Sequence, residues 1–163
     1  MIMRTIISLL FIVAIPFLSG CDTGPPRPAD FPTLHRVTLT ITQAGTPLEG
    51  ASVTLTSKTP QAYSTASGTT NAEGVVVPRT YGFDGVPAGE YTVSVSKTAI
   101  EGGTEQMAGN ALITVGGRIY QYVAADYLTA GTSPLSLDIS GRKEEAIDVG
   151  ASVRTFISDN VRD

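Results

Sequence analysis

Two stretches of the chain alternate apolar and hydroxyl-bearing residues with a period of two. In HRVTLTITQ, Val37, Leu39 and Ile41 fall on one side, and Thr38, Thr40 and Thr42 on the other. YTVSVSK repeats the pattern with Tyr91, Val93 and Val95. Successive side chains of an extended backbone point to opposite faces, so this is the signature of a half-buried strand. A strand with one apolar face must lay it against a second layer. ASVTLTS gives the same alternation through Ala51, Val53 and Leu55. SPLSLDIS gives it through Leu135, Leu137 and Ile139, and EEAIDVG through Ala146 with Ile147 or Val149. A further strand is expected at Ala111–Val115, while IYQYVAADYL reads as a strand or a short helix. Seventeen Gly and ten Pro in 163 residues supply turns at close intervals. The expected fold is all-β, an antiparallel two-sheet sandwich of about seven strands, over residues 35–150. Residues 151–163 read as a C-terminal tail, either a frayed helical turn or a loose end.

The first twenty residues have another character. Arg4 precedes IISLLFIVAIPFLSG, an apolar run interrupted by Pro16. The run is shorter than the roughly 20 residues needed to span a bilayer, and small residues close it, as in a secretory signal. LSGC, at positions 18–21, resembles the lipobox of bacterial lipoproteins. The resemblance implies cleavage before Cys21 and acylation of that residue, with residues 1–20 as the signal peptide. Cys21 is the sole cysteine, so no disulfide within the chain competes for it. Asp22 follows it, a weak pointer to retention in the inner membrane in some Gram-negative bacteria. DTGPPRPADFPT then reads as part of a Pro-rich tether over 21–34, a spacer on the order of 35 Å if polyproline-like throughout. Removing Arg4 from the eleven basic residues leaves ten against fifteen acidic ones. That balance excludes a basic nucleic-acid footprint and disfavours anionic headgroups, so membrane contact is expected through the lipid alone.

Three motifs occur in order between residues 37 and 97. They are GTPLEGASV at 45–53, TNAEG at 70–74 and VPAGEYTV at 86–93. Together they resemble the carboxypeptidase regulatory-like domain, a transthyretin-like, prealbumin-type sandwich. YLTAGTSPLSLDIS, at 127–140, is similar to the closing part of small exported lipoproteins of planctomycete-type bacteria. The resemblance implies a non-catalytic module, because the zinc and catalytic acid of the peptidases belong to another domain. Each motif also has a local physical reading. Pro47 fixes φ where the second strand begins, and Gly50 permits a bulge or left-handed backbone. Asn71 opens a turn that Gly74 closes. Pro87 and Gly89 aim the chain so that Tyr91 caps the core and anchors its hydroxyl on nearby backbone.

Chemistry-bearing residues are few. Asn71, Glu73, Asp84 and Glu90 lie among glycines, and turn chemistry accounts for them. The competing reading is a weak calcium site, although NAEG lacks the D-x-D-x-D-G run of a calcium loop. His35 is the single histidine, and no H-E-x-x-H spacing surrounds it. It is expected to be a solvated residue. No G-x-S-x-G elbow is present. Tyr81, Phe83, Tyr91, Tyr120, Tyr122 and Tyr127 are expected mostly in core and corner packing, with a sugar-stacking face as the rival reading. The expectation is therefore a non-enzymatic module with no cofactor and no metal. It is lipid-anchored through Cys21 to an inner or outer bacterial membrane and binds an envelope protein or, alternatively, a glycan.

Overall fold

A computed structural model describes residues 27–59 and 62–160. Cys21, the signal segment and the first part of the tether lie outside the described residues. The strands in chain order are β1 (Leu34–His35), β2 (Val37–Gln43), β3 (Thr46–Pro47), β4 (Ser52–Ser57), β5 (Thr65–Thr69), β6 (Val75–Val76), β7 (Arg79–Thr80), β8 (Phe83–Asp84), β9 (Val86–Pro87) and β10 (Gly89–Ser96). They continue as β11 (Thr98–Glu101), β12 (Thr104–Ala108), β13 (Ala111–Val115) and β14 (Arg118–Gln121). A 3-10 turn at Ala125–Tyr127 precedes β15 (Ser136–Ile139), β16 (Lys143–Asp148) and β17 (Thr155–Asp159).

The fold is an all-β sandwich. One sheet runs β15-β10-β4-β5-β7-β8, and the other runs β16-β2-β3 with β6 also on β2. Their inward faces are the residues the alternation picks out. Val37, Leu39, Ile41, Val53, Leu55, Tyr91, Val93 and Val95 are fully buried in one apolar cluster, joined by Leu137, Ile139, Ile147 and Val149. Each such aliphatic side chain contributes about 1.5–3 kcal/mol on burial. Ala146 is not among them: it is exposed, and Ile147 and Val149 take the inward positions.

Three features depart from the simple antiparallel sandwich. First, β16 pairs with β2 in parallel, from Lys143↔Val37 to Asp148↔Thr42. Residues 140–142 carry the chain from the edge of one sheet to the edge of the other, where β3 and β6 already hold the far side of β2. Second, GVVVPRTY, at 74–81, is divided between the two sheets. Val75–Val76 pair with β2, whereas Arg79–Thr80 join the opposite sheet through Ser67↔Arg79. Pro78 sits at the break, where its missing N–H takes nothing from either ladder. Third, residues 98–121 and 155–159 add a three-stranded sheet, β11-β14-β17, and a hairpin, β12–β13. Thr155–Asp159, within the stretch expected as a tail, thus form a paired strand. Its register against β14 shifts between Ile119 and Tyr120. The end of the stretch expected as tether is likewise attached: Leu34 and His35 pair with Pro87 and Val86, and Phe31 packs on rings of the domain.

The turn motifs are tied to the core by backbone contacts. Thr70 is buried; its hydroxyl donates to Leu48 O and accepts from Ala51 N at 2.8 Å. Gly74 has φ +72°, and a β-carbon there would stand 2.4 Å from Ile41 O. The motif threonine and glycine therefore lock the β5–β6 turn onto β2 and the β3–β4 connection. Among the described residues, no helix is long and apolar enough to cross a membrane.

Candidate functional site

The acids of the two glycine-rich loops find separate partners. Asn71 Oδ1 accepts from Val75 N at 2.8 Å and from Glu73 N at 3.2 Å. Its backbone completes the turn, with Asn71 N donating to Val75 O and Gly74 N to Asn71 O, each at 2.9 Å. Asp84 pairs with Arg79 Nε at 2.8 Å, and Glu90 lies 3.8 Å from Lys58 Nζ. Among the described residues no three His, Cys, Asp or Glu side chains are grouped so as to hold a metal ion. His35 is half-buried in β1, opposite Val86.

A different carboxylate gathers three hydrogen bonds. Asp148 Oδ2 accepts from Thr42 Oγ1 and Gly45 N, both at 2.8 Å, while Oδ1 accepts from Gly150 N at 2.7 Å. The Gly45 amide first, then the Thr42 hydroxyl and the Gly150 amide, hold its carboxyl below the usual range. Asp148 thereby joins the end of β16 to the Ala44–Gly45 turn. The D-x-G spacing at 148–150 is its faint trace in the sequence.

The six aromatics considered for a sugar face are dispersed. Tyr91 lies in the core and donates its hydroxyl to Pro87 O at 3.0 Å, the corner anchor expected of it. Tyr127 packs against the core. Tyr120 is buried, edge-on to Phe156, with the Arg154 guanidinium 3.7 Å from its ring centroid. Tyr122 donates to Glu101, which Arg154 also clasps through Nε and Nη2. The Arg154 bond, then the Tyr122 bond, lowers the Glu101 carboxyl; the bond to Glu101 raises the Tyr122 phenol. This cluster binds β11, β14 and the approach to β17 into one sheet.

Only Tyr81 and Phe83 of that set come together, and they do so with two residues the sequence did not single out. Phe31 packs edge-on to Tyr63 at 4.6 Å and to Phe83 at 5.0 Å; Tyr63 meets Tyr81 at 5.1 Å. The Arg27 guanidinium stands 5.4 Å from the Phe31 ring and 4.9 Å from Phe83. The Tyr63 hydroxyl donates to Asp30 at 3.3 Å. Desolvation, followed by Asp30's charge and bond, pushes that phenol up. Tyr81, on the turn between β7 and β8, is 71% exposed. The cluster lies outside the core: none of its four rings belongs to the central apolar group. Phe31 and Tyr63 escaped notice because each stands alone in a polar, Pro-containing stretch.

Among the described residues, the remaining large exposed apolar side chains are Ile100, Met107, Leu112, Phe156 and Ile157. All belong to the third sheet and its neighbouring hairpin, in which Met107 and Leu112 stand directly opposite each other. An open groove of about 420 Å³ separates the free edges of β15 and β16, lined in part by Leu137, Ile147, Asp138 and Lys143.

No protein-family model matches the chain, and no curated protein sequence matches it. In structure it is similar to BcpA*(D312A), the major pilin subunit of Bacillus cereus, with a TM-score of 0.41 and 16% identity. The likeness covers 77% of this chain and 31% of the pilin's.

Proposed function

We propose that this protein is an exported, lipid-anchored, non-catalytic module of the bacterial cell envelope, a carboxypeptidase regulatory-like sandwich that presents a protein-recognition surface. The observation that carries the recognition role is the concentration of exposed apolar side chains on β11, β17 and the β12–β13 hairpin. Monomeric surfaces seldom gather large apolar groups without a partner to cover them. Free strand edges add backbone donors and acceptors that a partner strand can pair with. The polar residues of the motifs and their surroundings support the non-catalytic reading, since Thr70, Asn71, Glu90, Asp84 and Asp148 are each engaged in a turn or an ion pair. The anchor rests on LSGC at 18–21 and the single Cys21.

Two measurements test this reading. A photo-crosslinking residue placed at Met107 or Leu112 in cells should give discrete adducts with an envelope protein. The same residue at Glu73, on the opposite kind of surface, should not. Identical adduct patterns from both positions remove the recognition surface. Mass spectrometry of the cellular protein should find an acylated Cys21 as first residue; an unmodified Cys21 or another start removes the anchor.

A further inference from the structure

We propose that the cluster of Phe31, Tyr63, Tyr81 and Phe83, with Arg27, is a bilayer-interface contact that seats this end of the domain in the lipid headgroup layer. The proposal rests on the anchor at Cys21 and adds to it: the domain touches the membrane with its own side chains, not by its lipid alone.

The leash is short. Arg27 already lies over two rings of the domain, so only five residues separate Cys21 from the docked chain. The six Cα-to-Cα steps from Cys21 to Arg27 span at most about 20 Å even when fully extended. A spacer that is attached from Arg27 onward cannot hold the cluster far from the headgroups.

The chemistry suits that layer. Tyrosine has an apolar body and a polar tip, and arginine an apolar stem and a charged head; both favour the membrane–water interface. Charge is balanced locally: Arg27 over the rings is offset by Asp30, which is bonded to Tyr63, and Arg79 is paired to Asp84. The overall acidity of the protein therefore does not repel this patch from a zwitterionic surface. A sugar is the poorer fit, since adjacent rings meet at 63°, 62° and 77° and offer no shared flat platform for a pyranose.

The backbone is bent to present these rings. Among the described residues, the non-glycine residues with positive φ are Ala44, Tyr63 and Tyr81, at 49°, 62° and 52°. Left-handed backbone is unfavourable for bulky side chains and is kept where the surroundings impose it, often at functional surfaces. Two of these three are aromatics of the cluster, and the core uses neither.

The test couples the chain from Cys21 onward to a maleimide phospholipid in phosphatidylcholine nanodiscs, through its only cysteine. The protein has no tryptophan, so Tyr81→Trp provides a single fluorophore on an exposed turn. Coupling should shift its emission to the blue and expose it to quenching by headgroup-labelled lipid, equally at low and high salt. Met107→Trp in the hairpin should show neither effect. Hydrogen exchange of the unsubstituted protein should slow at residues 79–84 on coupling. Unchanged emission and exchange overturn the proposal, as does a shift produced by soluble glycans but not by lipid. Because the coupling is chemical, these readouts stand apart from the mass-spectrometric test of acylation in cells.

Discussion

Replacing Asn71 with alanine separates the turn reading of the glycine-rich loops from the calcium reading. The side chain accepts two backbone hydrogen bonds, one short and one long, while the turn's own backbone bonds survive the change. A net hydrogen bond contributes about 0.5–1.5 kcal/mol. Water can reach this exposed turn, so the longer bond counts near the lower end. The substitution should therefore cost about 1–2 kcal/mol. With a urea slope of about 1.5 kcal/mol per molar, the midpoint falls by about 1 M. Asn71→Asp keeps the acceptor oxygen and should stay within about 0.5 kcal/mol of the parent. Both results should be the same in chelator and in excess calcium. An alanine variant as stable as the parent refutes the turn argument. So does a loss that appears only with calcium present, since that would place an ion where the structure has a hydrogen-bonded reversal.

Three further outcomes are expected. Tyr91→Phe removes the 3.0 Å bond to Pro87 O from the buried corner and should lower stability by about 1–2 kcal/mol in urea unfolding, without changing the far-ultraviolet spectrum. Gly74→Ala combines left-handed backbone, costing about 1–2 kcal/mol, with a β-carbon 2.4 Å from Ile41 O, so it should be more damaging than any other single change in that turn, read as Tm. The pH profile follows from Asp148 and Glu101, whose folded carboxyls titrate below their unfolded values. Their bonds add stability above about pH 4 that is lost as pH falls through the folded pKa, so Tm should drop in acid, and less steeply in Asp148→Asn.

Much of the sandwich is legible without coordinates. Val37, Leu39, Ile41, Val53, Leu55, Val93 and Val95 were marked by alternation and lie inside. Tyr91 was marked by the turn before it, and its hydroxyl is anchored on Pro87 as that position implies. The β13 strand coincides with the expected Ala111–Val115. Ala146 failed because its neighbours Ile147 and Val149 also fit an alternation, shifted by one residue, and the larger side chains won the core. The split at Pro78 is not legible in the sequence, since which sheet takes each half depends on partners elsewhere in the chain.

What the sequence decided by itself is local: where the chain extends, which face is apolar and where it turns. Those properties come from adjacent residues, through steric limits on φ and ψ and the two-residue repeat of a strand. Tertiary structure alone decided the pairing. It laid β16 parallel to β2, gave the terminal stretch a place beside β14, set Asp148 against Thr42 across 106 residues, and gathered Phe31, Tyr63, Tyr81 and Phe83 around one another. Contacts of that kind depend on how separate strands come to lie together, and no window of neighbouring residues contains that information.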